Sequence, residues 1–101
     1  MIRQKTTPQH IFKIPFDTSD LTAVELVYRQ DQRILLTLRE GDLTMEGDTI
    51  TAELTQEQTL MFNDRRPVEV QMAVMDADGH AFTSRKVRID VYEAISKDIL
   101  P

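Results

Sequence analysis

Hydrophobic and polar residues alternate with a period of two along most of the chain, and the alternation is cleanest from Pro67 to Val91. Every even-numbered position from 68 to 74 is apolar in the first arm of this stretch, and positions 87, 89 and 91 are apolar in the second. Because successive side chains of a β-strand point to opposite faces, each arm has one apolar and one mostly polar face. Asp78-Gly79 between the arms is a strong turn signal, so the stretch predicts one long β-hairpin.

The parity of the apolar positions limits the turn at the tip of this hairpin. Opposed residues of an antiparallel pair share a face, so the two apolar sets meet only when the paired residue numbers sum to an odd value. A two-residue Asp78-Gly79 turn, which pairs Ala77 with His80, meets this condition. A four-residue loop from Asp76 to Gly79 meets it as well.

Phe82 is the residue that does not fit this hairpin, because it lies on the polar parity of its arm. We expect a bulge near Thr83-Ser84 to swing the ring inward, and the alternative is an exposed ring that a partner covers. Four methionines are predicted to fill the core: Met45, Met61, Met72 and Met75. Of these, Met75 lies off the inward parity and is expected to be the most exposed.

The same alternation predicts further strands in the first half of the chain. Five segments show it: His10–Phe16, Leu21–Gln30, Arg33–Arg39, Leu43–Glu46 and Thr49–Leu54. Pro15 confines the first of them to a sheet edge or a strand end, and Asp31-Gln32 is predicted as the tip of a tight hairpin. Turn residues recur at the intervals typical of a sandwich, so the sequence predicts an all-β antiparallel β-sandwich of about seven strands.

The segment from Leu54 to Phe62 breaks the alternation and predicts one short helical crossing near residues 55–61. Thr55 and Gln58 have the spacing of a capping box, in which each side chain accepts a backbone N–H of the other residue. We expect about two helical turns that bury Leu60 and Phe62 and carry the chain from one sheet to the other.

The whole chain, residues 1–101, is predicted to be a single β-sandwich domain with two less regular ends. Residues 1–9 are polar and are predicted as a flexible arm, with an edge segment as the alternative. Residues 93–101 form the predicted C-terminal tail, in which Ile95, Ile99 and Leu100 have the spacing of a short amphipathic segment. Such a segment is too short to be a stable helix alone.

Length and composition narrow the function classes. A chain of 101 residues is long enough for one domain with a modest core. The net charge of -5 weighs against nucleic-acid binding and against binding to anionic membranes, which both need a basic field. Cysteine is absent, which removes thiol catalysis and thiolate metal sites. No apolar stretch fits a signal peptide or a membrane span, so we expect a protein made in the cytoplasm.

Candidate metal ligands are sparse, and we predict no metal site. His10 and His80 are far apart in sequence and are expected to be exposed at strand ends, so a zinc site would have to be assembled with carboxylates by the fold. The segment Asp76–Gly79 resembles the opening of a calcium loop. Lys86 and Arg88 stand where the closing glutamate of such a loop is needed, so a turn is the favoured interpretation.

Catalytic and cofactor-binding residues are also predicted to be absent. Serines 19, 84 and 96 have no histidine nearby in sequence and no nucleophile-elbow motif, and the three glycines make no phosphate loop. The basic groups Arg65-Arg66 and Arg85-Lys86-Arg88 could form a small positive patch. Outward-facing strand charges that discourage edge-to-edge aggregation explain them as well or better.

Several short motifs carry a family resemblance. They are K-I-P-F-D-T-S (Lys13 to Ser19), Tyr28-Arg29-Gln30, L-T-Q-E-Q-T-L-M-F (Leu54 to Phe62), Val-Gln-Met (Val70 to Met72) and Asp78-Gly79 followed by Ser84. With these motifs the chain resembles small immunoglobulin-like proteins encoded in phages and prophages of Gram-positive bacteria, and it is similar to the N-terminal domains of phage baseplate upper proteins. The resemblance extends over most of the chain, roughly Phe12 to Val91, and its most specific element is the crossing.

The resemblance implies an immunoglobulin-like β-sandwich that serves as a non-enzymatic structural or adaptor module in the tail or baseplate region of a virion. It implies contacts with other virion or phage-encoded proteins or with a second copy, no cofactor, and locations in the bacterial cytoplasm and the virion. The alternative is a carbohydrate- or surface-binding β-sandwich module, although the sequence has no tryptophan and only two tyrosines for a sugar-stacking platform. A hydrolase with a site assembled across loops is the third and least supported hypothesis.

Overall fold

A computed structural model describes residues 1–101 and contains ten β-strands, one α-helix and two 3-10 turns. The strands are Ile2–Arg3 (β1), Gln9–Lys13 (β2), Leu21–Gln30 (β3), Arg33–Arg39 (β4), Leu43–Glu46 (β5), Thr49–Glu53 (β6), Val68–Asp76 (β7), Ala81–Thr83 (β8), Val87–Ile89 (β9) and Val91–Tyr92 (β10). The helix α1 is Gln56–Leu60, and the 3-10 turns are Thr18–Asp20 and Glu40–Asp42. None of the helical segments is long and apolar enough to cross a bilayer.

The strands form two antiparallel sheets that pack face to face and one small parallel pair. The first sheet has the order β2-β6-β5, and the second has the order β4-β3-β7-β8, with β9 beside β8 on the same edge of β7. Strands β1 and β10 pair in parallel. The prediction of an all-β antiparallel sandwich with one short helical crossing is therefore confirmed. The count is ten strands because β1 is added and the second arm of the long hairpin divides into β8, β9 and β10.

The core lies between the inner faces of the two large sheets and under α1. Its fourteen buried hydrophobic residues are Ile2, Val24, Leu26, Tyr28, Leu38, Ile50, Ala52, Leu54, Phe62, Val68, Val70, Met72, Val74 and Val91. Most of them are the alternate apolar positions that the sequence predicts to face inward, because one face of each strand is withdrawn from water. The ring centroids of Tyr28 and Phe62 are 5.8 Å apart.

The first residues are part of the sandwich, which corrects the prediction of a flexible arm over residues 1–9. Ile2 is fully buried and its N–H donates to the carbonyl of Asp90, while the N–H of Gln4 donates to the carbonyl of Tyr92. The buried Gln4 side chain also donates to the carbonyl of Phe62 at 2.6 Å. A two-residue strand is too short to show alternation, so the sequence pattern does not reveal it.

The long hairpin turns through three residues, and the two- and four-residue turns predicted from parity are wrong. Met75 pairs with Ala81, and the Asp76 N–H donates to the carbonyl of His80 across the loop. Gly79 has φ +85°, the left-handed conformation that completes such a three-residue loop. A loop with an odd number of residues pairs the inward-facing, even-numbered positions of β7 with the even-numbered positions of β8, such as Val74 with Phe82. The register then shifts by one residue between β8 and β9, and this shift restores the predicted parity from Val87 onward.

The crossing begins with the predicted capping box, and its buried residues differ in part from the prediction. The Thr55 hydroxyl accepts the N–H of Gln58 at 3.1 Å, and the Gln58 side chain accepts the N–H of Thr55 at 2.8 Å. Phe62 is buried as predicted, but the fully buried residue of α1 is Thr59 rather than Leu60. The buried Thr59 hydroxyl is satisfied, because it donates a hydrogen bond to the carbonyl of Thr6.

A bulge, an exposed methionine and the tail account for further differences. Strand β4 carries a bulge opposite Tyr28-Arg29, which pairs Ile34 with the outward-facing Arg29, so Ile34 lies outside rather than in the core. Met61 is exposed, as Met75 is, so only part of the methionine prediction holds. The tail over residues 93–101 has no helix, and Leu100 is held by two hydrogen bonds with the Gln56 side chain.

Candidate interaction surface

The two large sheets leave an apolar groove open along one side of the sandwich, between β2 and the β8–β9 arm. We call it the β2–β8 groove, and it consists of two adjoining clefts. The first has a volume of about 290 Å³ and is lined by Ile14, Pro15, Phe16, Met72, Val74, Phe82, Thr83 and Ser84. The second has a volume of about 350 Å³ and is lined by Ile11, Phe12, Lys13, Ile14, Val70, Met72, Ser84, Arg85 and Val87. The two clefts are adjacent, because both are lined by Ile14, Met72 and Ser84.

Phe82 reaches this groove because the three-residue loop pairs it with Val74, and the register shift predicted near Thr83-Ser84 follows it in the chain. Phe82 pairs with the inward-facing Val74, so its ring lies on the core side of β8. The Phe16 and Phe82 ring centroids are 4.8 Å apart, and this contact joins the two sheets across the groove. Phe82 is nevertheless 41% exposed, because β8 is an edge strand of its sheet. The two interpretations of Phe82 are therefore both partly right.

Ser84 fixes the bulge in place. Its hydroxyl accepts the N–H of Met72 at 2.9 Å and donates to the carbonyl of Arg85, while its own N–H donates to the carbonyl of Met72. The Gln71 side chain donates to the Ser84 carbonyl at 2.9 Å. These bonds use one serine to satisfy both backbone groups of Met72 where the regular ladder is interrupted. Ser84 is thus a structural residue of the groove.

The opposite wall of the groove is an unpaired strand edge. The backbone N–H of Leu54 donates to the carbonyl of Pro8, and the N–H of Ile14 donates to the carbonyl of Asp48. The even-numbered residues of β2 therefore form the hydrogen-bonded pairs with β6. The N–H and C=O groups of Gln9, Ile11 and Lys13 consequently point away from β6, and β2 has no other neighbour. Ile11 is 67% exposed on this edge. Pro15 indicates this edge in the sequence, whereas no sequence signal singles out Ile11 or Lys13.

The rim of the groove is basic although the protein is acidic overall. Lys13 and Arg85 line the second cleft, and no aspartate or glutamate lines either cleft. Lys13 lies 3.8 Å from Asp48 in an exposed ion pair, whereas Arg85 makes no ion pair. Such exposed pairs contribute little to stability. Both cations therefore remain available to a partner.

The predicted positive patch forms only in part. Arg66 and Arg88 line one shallow recess together with Asp31 and Glu69, and Arg66 is paired with Asp31 at 3.3 Å. A neighbouring recess contains Lys86 and the ion pair between Arg29 and Glu69, whose shortest distance is 2.7 Å. The hydrogen bond from Arg29 is the main reason why the pKa of Glu69 is lowered. Arg66 and Lys86 therefore have carboxylate partners, whereas Arg65, Arg85 and Arg88 make no ion pair, and of these three Arg85 is the one that lines the groove.

His10 is inside the sandwich rather than exposed at a strand end, which corrects the sequence-based expectation. It is half-buried, its Nδ1 lies 2.6 Å from the Tyr28 hydroxyl, and its buried Nε2 has no hydrogen-bond partner. Burial, and secondly the charge of the N-terminal amine, lower the pKa of His10 below 6.5. Burial raises the pKa of Tyr28. The pair is a contact between the two sheets, and His80 lies elsewhere, at the hairpin tip.

Asp76, Asp78 and His80 come together at the tip of the long hairpin, with ligand atoms within 4.8 Å of one another. The Asp76 carboxylate accepts the backbone N–H groups of Asp78 and His80 at 3.0 and 2.9 Å. These bonds, with the one from His80 the largest cause, lower the pKa of Asp76. The carboxylate therefore acts as the internal cap of the turn, in agreement with the favoured interpretation of this segment.

The three serines form no hydrogen bond with a histidine. Ser19 donates to Asp17, Ser84 holds the bulge, and Ser96 accepts a hydrogen bond from Lys5. The predictions that catalytic, cofactor-binding and metal-ligating residues are absent stay predictions. Among the described surfaces, the β2–β8 groove combines apolar depth, a free strand edge and unpaired charge, and we take it as the candidate site.

Comparisons with known proteins place few limits on the function. No protein-family model matches the chain, and no curated protein matches it. Among solved structures, the chain is similar to the V domain of amphioxus IgVJ-C2. The match covers 89% of this chain and 96% of that chain, with 10% sequence identity and a TM-score of 0.35. The expected relation to phage baseplate proteins stays a prediction.

Proposed function

We propose that the chain is a non-enzymatic protein-interaction module that binds its partner through the β2–β8 groove. The observation that carries the proposal is the exposed Phe82 ring beside the unpaired edge of β2. An apolar cleft next to free backbone donors and acceptors can bind a protein segment by both side-chain and main-chain contacts. A sandwich with a well-filled core and one open side serves as a rigid support for such contacts.

We further propose that the module is a structural or adaptor component of a phage or prophage virion, in the tail or baseplate region. Its partners would be other virion or phage-encoded proteins or a second copy. The support for this location is the set of sequence motifs described above, in particular the crossing from Leu54 to Phe62. The structure adds that this crossing contains a capped helix with Thr59 buried, followed by the buried Phe62.

Carbohydrate or surface binding is the alternative function, and the aromatic residues offer it little surface. Tyr28 is fully buried, so Tyr92 is the tyrosine that can be reached from solvent. The guanidinium of Arg3 lies 5.6 Å from the centre of the Tyr92 ring, on one of its faces. A glycan array tests this alternative, since binding that depends on Tyr92 would favour it over protein contacts.

Affinity capture from phage-producing cells, followed by mass spectrometry, tests the proposed function. We expect the wild-type protein to recover virion proteins and the Phe82→Asp variant to lose them, because a carboxylate disrupts the apolar groove. Ile95→Asp is the matched control, since Ile95 is an exposed hydrophobic residue of the tail, away from the groove. Circular dichroism verifies that both variants fold. Recovery of an unrelated host complex as the main partner, or equal losses with both variants, would contradict the proposal.

A further inference from the structure

The unpaired edge of β2 and the charges beside it indicate what kind of segment the groove binds. Resting on the proposed function, we infer that the β2–β8 groove takes an extended, acidic segment of a partner protein, which pairs with β2 as an additional strand. The segment places alternate apolar side chains in the two clefts and carboxylates next to Lys13 and Arg85. Three features carry this inference: the geometry of the strand edge, the shape of the clefts and the charge of the rim.

The edge geometry requires an extended occupant. Gln9, Ile11 and Lys13 direct their free N–H and C=O groups outward along β2. A strand that pairs with five residues spans roughly 17 Å at about 3.3 Å per residue, and it satisfies donors and acceptors in the alternation that an antiparallel or parallel ladder needs. A helix cannot satisfy these groups because its backbone hydrogen bonds are internal. Strand addition is therefore the binding mode that uses this edge.

The clefts accept side chains rather than a separate small ligand. The two clefts, of about 290 and 350 Å³, lie just below and at the low end of the roughly 300–1,000 Å³ that small-molecule sites occupy. The walls of the first cleft are apolar except for Thr83 and Ser84, and Ser84 already uses its hydroxyl in the bulge. A strand beside β2 directs every second side chain toward the space between the sheets. An apolar residue there would contact Phe16 and Phe82, which are now partly exposed.

The charge of the rim selects an acidic occupant. The protein has 17 acidic and 12 basic residues, yet the side chains that line the two clefts include Lys13 and Arg85 and no carboxylate. Arg85 has no ionic partner. Cations on an edge strand discourage neutral or basic strands from adding to it. The same cations favour a segment that carries carboxylates, so protection against aggregation and selection of a partner are compatible roles for these residues.

Selection from a displayed library of random twelve-residue peptides tests the inference. We expect the enriched peptides to alternate apolar residues with aspartate or glutamate, and their affinity to fall at least tenfold with Arg85→Glu. Arg65→Glu is the matched control, because Arg65 is exposed outside the groove and the change in net charge is the same. We expect that control to change the affinity by less than twofold.

A second pair of variants tests the strand pairing. Ile11→Pro removes the outward N–H of residue 11 and no bond of the β2–β6 ladder, so we expect the selected peptides to bind at least tenfold more weakly. Ile11→Ala keeps that N–H and loses only part of the apolar lining of the second cleft, so it is expected to bind the peptides more tightly than Ile11→Pro does. In hydrogen exchange, the amides of Ile11 and Lys13 should become protected when peptide binds. A wild-type thermal transition in each variant excludes a loss of fold.

Several outcomes would overturn the inference. They are enrichment of basic peptides, absence of any enriched peptide, or binding that Arg85→Glu and Ile11→Pro leave unchanged. A dimer in sedimentation that Ile11→Pro dissociates would identify a second copy as the occupant instead. The proposed function fails separately: if acidic peptides bind as expected but no virion protein is captured, the inference stands without the virion role. If virion proteins are captured through Phe82 independently of Ile11 and Arg85, only the inference fails.

Discussion

Gln30 holds the segment after the crossing against the end of β3, and its replacement should destabilise the fold strongly. The Gln30 side chain is buried and makes three hydrogen bonds with backbone groups. It donates to the carbonyls of Asn63 and Arg66 at 2.7 and 2.8 Å, and it accepts the N–H of Asn63 at 2.8 Å. One side chain therefore replaces the regular backbone pairing that this segment lacks.

The expected cost follows from the number of these bonds. Gln30→Leu keeps most of the side-chain volume and removes all three, and each contributes about 1 kcal/mol net. Their loss lowers the free energy of unfolding by about 3 kcal/mol, a large share of the roughly 5–15 kcal/mol of a whole domain. With a urea m-value of about 1.5 kcal/mol/M, the midpoint of unfolding falls by roughly 2 M.

Equilibrium urea unfolding at pH 7, followed by circular dichroism, measures this difference. Gln9→Leu is the control, because it makes the same substitution at an exposed residue of β2 whose side chain has no hydrogen bond. We expect that control to change the free energy of unfolding by less than about 0.5 kcal/mol. A change of similar size in Gln30→Leu would refute the argument, because it would mean that the loop is held by other contacts.

Four further predictions test other parts of the structure. Because the pKa of His10 is lowered in the fold, the native state binds fewer protons than the unfolded state, so the free energy of unfolding is highest above pH 6.5 and declines as pH falls through that value. Urea unfolding of the wild type between pH 7.5 and 5.5 should show this decline, and His10→Gln should reduce it. Ile2→Ala removes a fully buried side chain and should cost about 2–5 kcal/mol in the same assay, whereas a truly flexible arm would give no change. Thr55→Ala removes the cap of α1 and should cost about 1 kcal/mol, and an unchanged midpoint would show that the capping box is dispensable. Gly79→Ala should cost about 1–2 kcal/mol from backbone strain at φ +85°, measured as a lower melting temperature, and Gly79→Asn should cost less; equal melting temperatures for the three proteins would argue against the left-handed turn.

The sequence predicted those parts of the fold that rest on local patterns. Alternation located strands β3 to β7 within a residue or two, and the spacing of Thr55 and Gln58 identified the capping box. Asp31-Gln32 was recognised as a hairpin tip, and both residues have the positive φ angles that a two-residue turn requires. These features depend on neighbours in sequence, which is why one sequence was sufficient to predict them.

The sequence could not reveal features that depend on distant partners or on two irregularities that compensate each other. The three-residue loop at Gly79 and the shift after Thr83 each reverse the parity, so together they leave the pattern from Val87 onward unchanged. The burial of His10 depends on Tyr28 in the other sheet. His10 has the same even-numbered position in β2 as the apolar Phe12 and Ile14, and this shared face was a sequence signal for its burial. The groove itself arises where two separate strand edges face each other, which alternation within a strand cannot show.

The parallel pairing of β1 with β10 has a mechanical consequence. Its two hydrogen bonds, from Ile2 to Asp90 and from Gln4 to Tyr92, lie side by side across strands that run in the same direction. Tension that pulls residue 1 and residue 93 apart would load both bonds together in shear, whereas a hairpin pulled at its open end separates one bond at a time. Ile2 must also leave the core before the two strands can slide. The domain is thus built to resist stretching along its own chain direction.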